Sequence, residues 1–273
     1  MQHSTKKLHL SVLIVHFKDE EMLKACLSAL RDGISVPYEV LIANNGEDEI
    51  RDLCDVYNEV SYIINNTSNK GFGVAHNQLA PKAQAKTLLL LNPDIIEMSM
   101  ADSTISLSKQ KKNGIIAPEV KNTEGEVEAW SRGSLLTPLS LVMRNIIPRK
   151  QKLLKKKKKY AMVTGAAMMI RKKVFIDIGG FDEKFFLYFE DCDFCRRVNS
   201  AGYDVIVDPA SHVTHIAGAS SDSKITQKEH YKKSQEYYFK KYYGNLTAKI
   251  IISIRKHTHT ERNALSTTHK NIL

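Results

Sequence analysis

Leu10-Ser11-Val12-Leu13-Ile14-Val15 is an unbroken β-forming run near the start of the chain. A strand with one wet face alternates apolar and polar residues; a run without alternation reads as a strand covered on both faces. Asp19 follows as a helix cap, with Met22, Leu23, Cys26, Leu27 and Leu30 on one stripe and Gly33 and Pro37 closing the helix. Tyr38 to Ala43 is a second strand, ending in the turn sequence Asn44-Asn45-Gly46. A helix over about 47–57, a short strand from Val60 to Ile64, a helix opened by Asn69-Lys70-Gly71-Phe72-Gly73 and a strand from Thr87 to Leu91 complete the pattern. This βαβα alternation predicts an α/β fold with a mostly parallel, doubly wound sheet and ligands at the C-terminal strand ends.

The second half has a different character. Residues 100–112 read as helix, Gly114 to Pro118 as strand and 119–134 as a polar excursion. A basic, amphipathic segment spans 138–159 and ends in five lysines, Lys155 to Lys159. Ala161 to Ile170 reads as one apolar strand containing Gly165, Asp191 to Ala201 as a helix, and Tyr203–Val207 and His212–His215 as two short strands. Residues 226–243 are helical and crowded with lysine and tyrosine, and the polar stretch 257–273 reads as a disordered tail. There is no internal repeat.

At 273 residues and 42% hydrophobic composition, one large domain with a substantial core is within reach. Lys+Arg number 40 against 30 Asp+Glu, a net charge of +10 that suits polyanionic partners. No pattern for nucleic-acid recognition accompanies that charge, so nucleic acid is not expected. Residues 1–9 lack an apolar signal region, and no apolar run approaches the about 18 residues that span a bilayer, so the cytoplasm is the expected location. Cys192 and Cys195 form a C-x-x-C without a second ligand pair at zinc spacing, and buried thiols are the better reading.

Chemistry concentrates in two acidic places. Phe185-Phe186-Leu187-Tyr188-Phe189-Glu190-Asp191-Cys192-Asp193 packs three carboxylates into four residues behind an aromatic flank. Mutual repulsion and desolvation raise carboxylate pKa values, as a general base near neutral pH requires. Asn92-Pro93-Asp94 follows the apolar strand at 87–91; it reads as a strand-end turn or as a site where Asp94 holds a divalent ion. The 69–73 loop offers backbone N–H groups and Lys70 to phosphates, or is an ordinary left-handed turn. His215, at the end of a β run, is structural or a second ligand to the ion. The 155–159 lysines and the lysine–aromatic stretch Tyr231–Tyr243 read as solvated faces or as an anionic membrane contact.

From about Leu10 to Tyr243 the ordered blocks resemble the family 2 glycosyltransferases of the GT-A fold, in particular the bacterial rhamnosyltransferase-like branch. The blocks are Ser11–Phe17; Asn69–Gly73 with Asn77; Leu91–Asp94; and Thr164-Gly165-Ala166 through Gly179–Glu183 and Glu190-Asp191-x-Asp193 to Gly202, followed by the His215 block. The resemblance implies a single GT-A domain over 1–256. About 1–118 would be the nucleotide-sugar half, 119–225 the metal and acceptor half, and 226–256 basic amphipathic helices. It implies Asp191 as catalytic base with Glu190 beside it, and Asp94 and His215 as ligands to Mg2+ or Mn2+. His16, Phe17, Asn44, Asn45, Lys70, Gly71, Phe72, Asn77, Asn92 and Arg132 fall at donor-binding positions. Relatives usually carry an aspartate at the end of strand two, where this chain has Ala43 followed by Asn44 and Asn45.

The implied activity is inverting transfer of a sugar, L-rhamnose by branch resemblance, from a nucleotide-sugar donor (dTDP-rhamnose or a UDP-sugar). The implied acceptor is a lipid-diphosphate-linked glycan of cell-surface polysaccharide such as O-antigen or capsule, at the anionic inner face of the plasma membrane. Two rivals come from other classes. A sugar nucleotidyltransferase would want a Gly-rich basic signature after strand one, and His16-Phe17-Lys18-Asp19-Glu20 has no glycine. A non-catalytic basic binding protein would be indifferent to loss of Asp94 or Asp191.

Overall fold

The structure, a computed structural model, describes residues 7–46, 50, 53–140, 154–216 and 224–270. Its frame is one mixed sheet. The strands are β1 (Leu10–His16), β2 (Tyr38–Asn44), β3 (Val60–Asn65), β4 (Thr87–Leu91), β5 (Ile95–Ser99), β6 (Asn113–Lys121), β8 (Lys158–Tyr160), β10 (Ala167–Arg171) and β11 (Asp204–His215). The order is β3-β2-β1-β4-β10-β6-β11-β5, with β8 paired to β11. A separate ribbon joins β7 (Arg132–Gly133) to β9 (Met162–Val163).

β3, β2, β1 and β4 run parallel, and β6 pairs parallel to β11. β10 lies antiparallel between β4 and β6, so β4, β6 and β11 all point the same way. The C-terminal ends of β1, β2, β4 and β11 therefore share one sheet edge, where His16, Asn44, Asn92 to Asp94 and His215 meet.

The sheet is buried on both faces, which is why its central strands are apolar throughout. Val12, Ile14, Val40, Ile42, Leu89 and Leu91 pack with Leu23, Cys26, Leu27 and Leu30 of helix α1 (Glu20–Gly33). Leu13, Leu41, Leu88 and Leu90 pack on the other face with Ala75 and Leu79 of α3 (Phe72–Leu79) and with Phe194 and Val198 of α6 (Glu190–Ser200). Asp19 caps α1 as expected, accepting from the Met22 N–H at 2.9 Å. A side chain on Gly33 would sit 2.3 Å from the Met98 carbonyl, so that helix end must be glycine to approach β5.

Short helices α2 (Leu53–Val56), α4 (Asp102–Ser108) and α5 (Lys172–Asp177) fill the connections. The last helix, α7 (Lys224–Lys270), breaks at Gly244, whose φ is 84°. Its first half buries Tyr238 and Phe239. Its backbone stays helical to Lys270, where polarity suggested a disordered tail from 257. Polar composition alone does not oppose a helix when Ala, Leu, Glu and Arg are among the residues.

Three expectations change. The apolar run 161–170 is two strands, β9 and β10, separated by a turn at Thr164-Gly165-Ala166. The two short strands expected at 203–207 and 212–215 are one, β11, with its register shifting between Asp208 and His212. β5, directly after Asp94, was not expected. Of the helix expected at 47–57 only the short turn α2 (Leu53–Val56) is present among the described residues, with 47–49 and 51–52 outside them, and the greater part of the 138–159 segment also falls outside.

Candidate functional site

A cleft opens at the shared strand edge. Val15, Phe17, Asn45, Gly71, Phe72, Asn92, Asp94 and Phe186 are among its lining residues. All but Phe186, which lies in the loop before α6, are delivered by a strand end or a helix start, the usual position for ligands in sheets of this type.

The floor of the cleft is an asparagine network. Asn45 Nδ2 donates to Asn69 Oδ1 at 3.2 Å and to the Gly71 carbonyl at 3.3 Å, while its Oδ1 accepts from Asn66 at 2.9 Å. Asn69 Oδ1 also accepts from the Gly71 N–H at 2.9 Å. This network fixes Gly71 with φ +82°, and a Cβ there would lie 2.4 Å from the Phe186 carbonyl. That carbonyl accepts from the Phe72 N–H at 3.0 Å, so the glycine loop is bonded to the segment leading into Glu190 and Asp191.

Asp94 and His215 face one another, with Nε2 to Oδ2 at 3.1 Å. The Ile216 N–H also donates to the Asp94 carbonyl at 3.0 Å, which holds the end of β11 against the turn after β4. Asp94 Oδ1 and His215 Nδ1 are buried without a hydrogen-bond partner. One hard carboxylate oxygen and one imidazole, with lone pairs unspent, fit a small divalent ion such as Mg2+ or Mn2+. Among the described residues no cluster of three or more His, Cys, Asp or Glu could hold an ion alone. The remaining ligands would have to come from substrate oxygens and water.

Asp191 sits in the first turn of α6 and is partly exposed. Its Oδ2 accepts from the Gly165 N–H at 3.2 Å and its Oδ1 from the Cys192 N–H at 2.7 Å. Burial nevertheless pushes its pKa above the usual aspartate value, outweighing those N–H bonds. Glu190 is more deeply buried, with Oε2 unpartnered, and desolvation together with the Asp191 charge pushes it well up. Tyr188 and Phe189, just before it, have φ of 70° and 69°. Two consecutive bulky residues in the left-handed region store strain that the surroundings must hold.

The turn 164–166 links the two acidic places. The Asn92 N–H donates to the Ala166 carbonyl at 2.9 Å, while Gly165 holds Asp191. A Cβ on Gly165 would lie 3.1 Å from the cleft-lining Phe72 ring and 3.7 Å from the Asp191 Cβ, so Gly165 has both as neighbours.

Several sequence-named residues have other work. Arg132 is 2% exposed and bonds Glu119 Oε1 at 2.8 Å, a buried ion pair beneath the site. Asn77 spends its amide on both backbone groups of Phe181, at 2.9 Å each, and on Glu183. Asn44 is buried, donates to Asn65 Oδ1 at 2.8 Å and accepts from the Gly46 N–H at 3.0 Å. Ala43 is wholly inside the core. None of these four is among the residues lining the cleft. His16 is buried behind Phe17, and desolvation lowers its pKa, favouring the neutral imidazole. Lys70 is exposed on the glycine loop.

Sequence reasoning quoted Asn69 and Gly165 within their blocks without giving either a site role, and passed over Trp130. Trp130 sets its ring edgewise to His215, centroids 5.2 Å apart at 71°. A single tryptophan inside a polar excursion was the available signal.

Comparison with known proteins accords with this geometry. The profile of "Glycosyl transferase family 2" matches residues 11–179, and that of "Glycosyl transferase family group 2" matches 139–258. A low-salt glycan biosynthesis hexosyltransferase, Agl10, of Haloferax volcanii is 27% identical over 205 residues, 72% of this chain and 63% of its own length. The chain thus spans less than two thirds of that relative. An N-acetylglucosaminyl-diphospho-decaprenol L-rhamnosyltransferase of Mycobacterium tuberculosis is 24% identical, covering 76% of this chain and 75% of its own. The rhamnosyltransferase WbbL of Escherichia coli is 24% identical, covering 76% and 83%. In fold, the chain is similar to GalNAc-T7 crystallised with UDP, GalNAc and Mn2+, at a TM-score of 0.62, 15% identity, and coverage of 86% and 50%. It is also similar to the mannosyltransferase PcManGT of Pyrobaculum calidifontis in complex with GDP-Man and Mn2+, at 0.58, 13% identity, and coverage of 93% and 71%. The fold is that of the GT-A glycosyltransferases, and with the family profile matched over more than half its length the chain belongs to glycosyl transferase family 2.

Proposed function

We propose that this chain is an inverting glycosyltransferase that moves a sugar, L-rhamnose, from a nucleoside-diphosphate donor to a hydroxyl of a lipid-diphosphate-linked glycan. The product class is cell-surface polysaccharide such as O-antigen or capsule. The observation that carries the reading is the 164–166 turn, which bonds Asn92 on one side and Asp191 on the other. That turn ties the strand end leading into Asp94 to the helix start carrying Asp191, which supports a diphosphate-side group and a proton acceptor working on one substrate. The rhamnose and the lipid-linked acceptor rest on the Mycobacterium and Escherichia relatives by name.

The chemistry follows from the residues. An alcohol is far too weak an acid to lose its proton unaided at neutral pH. Asp191 accepts that proton as the hydroxyl oxygen bonds to the anomeric carbon on the face opposite the departing diphosphate. Its raised pKa makes it a stronger base, and the Gly165 and Cys192 N–H groups fix its direction. The Gly71 loop, clamped by Asn45 and Asn69, turns its backbone and Lys70 toward the donor. Phe17 and Phe72 wall the cleft and exclude water around the reacting centre. Asp94 and His215 would hold Mg2+ or Mn2+, which when bound supplies positive charge to the leaving diphosphate.

Among the described residues no helix is long and apolar enough to cross a membrane. After the break at Gly244, α7 exposes Leu246 and Ile250 beside Lys249, a face suited to peripheral contact with an anionic bilayer from the cytoplasm.

The test is turnover of a panel including dTDP-rhamnose and UDP-sugars with Mn2+, using polyprenyl-diphosphate N-acetylglucosamine as acceptor. Wild type should form product, and Asp94→Ala and Asp191→Asn should not at a comparable rate. A panel with no turnover, or variants that match wild type, would reject the reading.

A further inference from the structure

We infer that Trp130 is a sugar platform: its indole face receives a pyranose ring of the substrate beside the His215 imidazole. The inference rests on the transferase reading above and assigns a role to a residue outside the motifs.

Position is the first argument. An isolated exposed apolar side chain needs no explanation by itself. Trp130, however, is the chain's single tryptophan, is 45% exposed and touches His215, which in turn lies 3.1 Å from the cleft-lining Asp94. A substrate extending past Asp94 and His215 meets the indole next.

Rigidity is the second. The residue after it, Ser131, is pinned: its N–H donates to the Glu128 carbonyl at 3.0 Å and its hydroxyl to the same carbonyl at 2.7 Å. The Ser131 carbonyl accepts from the Thr164 N–H at 2.9 Å. Thr164 opens the turn that holds Asp191 through Gly165 and Asn92 through Ala166. Trp130 is therefore anchored to the same three-residue turn as the proposed base and the metal-site motif.

Chemistry is the third. A single edge contact cannot cover both faces of an indole, and the exposure of the ring leaves apolar surface open. The face of an indole carries the negative side of its quadrupole. The axial C–H bonds of a pyranose form an apolar patch of slight positive charge, which complements it. The other large apolar side chains exposed among the described residues, Val56, Leu139, Ile176, Ile225, Leu246 and Ile250, are aliphatic and have no such face. Donor and acceptor glycan both present a pyranose, so the experiment must separate them.

The lone tryptophan reports on itself. Emission is titrated with Mn2+ and nucleoside diphosphate, then with Mn2+ and the nucleotide sugar that is turned over, then with the acceptor glycan. A blue shift on the nucleotide sugar but not on the nucleoside diphosphate supports a donor ring; a shift only on the acceptor supports an acceptor ring. Steady-state kinetics of Trp130→Ala and Trp130→Phe follow. Loss of the face should raise KM for the shifted ligand about tenfold, with Phe restoring it to within about threefold. Turnover by wild type with no emission change on either ligand, or wild-type KM values in Trp130→Ala, would overturn the inference and leave the transferase reading standing. Absence of turnover across the panel would instead remove the transferase reading, and this inference with it.

Discussion

The Asp191 carboxylate is held by the Gly165 N–H at 3.2 Å, and through that contact helix α6 is tied to the turn that also carries Asn92. Two sequence blocks far apart along the chain are thereby bonded to one short turn. Replacing Asp191 with Asn keeps the shape and the Oδ acceptor but removes the basic oxygen. Transfer should fall by about 10²–10⁴-fold, the usual contribution of general-base help, with donor KM little changed. A steady-state assay decides it; an Asn variant within tenfold of wild type would assign the base elsewhere.

The neighbouring Glu190 makes a pH prediction. Its folded pKa lies well above the ordinary glutamate value because it is desolvated beside Asp191. Below the unfolded value both states are protonated and nothing is lost. As pH rises from there through the folded value, the unfolded chain ionises first, so stability declines across that window and stays lower above it. Glu190→Gln should therefore be more stable than wild type at pH 7 and equal to it near pH 3.5. Because Glu190 is still protonated while Asp191 ionises, the acid limb of the rate profile set by Asp191 should stay where it is in wild type. Thermal melts across pH and a pH–rate profile read both effects.

Gly71 is constrained twice, by φ of +82° and by the Phe186 carbonyl 2.4 Å from where a Cβ would stand. Gly71→Ala should cost more than about 1 kcal/mol and break the Phe72–Phe186 bond that joins the glycine loop to the acidic segment. Chemical denaturation gives the first quantity, and nucleoside diphosphate affinity, expected to weaken, the second. An alanine variant with wild-type stability would show that the loop relaxes freely.

Lys241 pins the acidic segment from outside. Its ammonium bonds Asp182 at 2.7 Å and the fully buried Asp193, spanning the residues that include strained Tyr188 and Phe189. Arg197 and Tyr242 also hold Asp193, at 2.8 and 2.6 Å, so the charge is not orphaned when Lys241 is lost. Lys241→Met should destabilise by about 1–3 kcal/mol, below the cost of fully breaking a buried pair. It should lower kcat more than it raises KM, since the strained backbone ahead of Asp191 loses a restraint. Lys241→Arg, which keeps the charge, should recover most of the loss.

Legibility in the sequence followed the physics of each element. β1, β2 and β4 were readable because burial on both faces leaves unbroken apolar runs, and Asp19 because capping is local. β5 was not, since Ile95-Ile96-Glu97-Met98-Ser99 is short and its partner β11 is distant in sequence. The turn at Gly165 was hidden inside an apolar run, because what bends the chain there is a bond to Asp191. Glu190, Asp191, Asp94 and His215 were named from acidic clustering and block order, and the fold bonds Asp191 and Asn92, two residues before Asp94, to the same turn. Arg132, Asn44 and Asn77 were named from position alone, and position does not reveal which polar groups the interior has already used.

Arg132 offers the sharpest separation of those two kinds of reading. Its guanidinium and the Glu119 carboxylate are 2.8 Å apart, with side chains 1% and 4% exposed, and the Leu154 N–H donates to the same Glu119 oxygen. Arg132→Met leaves a carboxylate buried without its cation and should cost about 3–5 kcal/mol. Replacing Glu119 as well, in an Arg132→Met, Glu119→Leu double variant, should recover part of that loss, because two buried charges disappear together. Donor KM should stay at the wild-type value in whatever fraction of each variant folds. A donor-contacting Arg132 would behave in the opposite way, with KM raised in both variants and no recovery from the Glu119 change. Denaturation curves and donor kinetics on the same two proteins therefore distinguish a guanidinium that braces the site from one that touches the substrate.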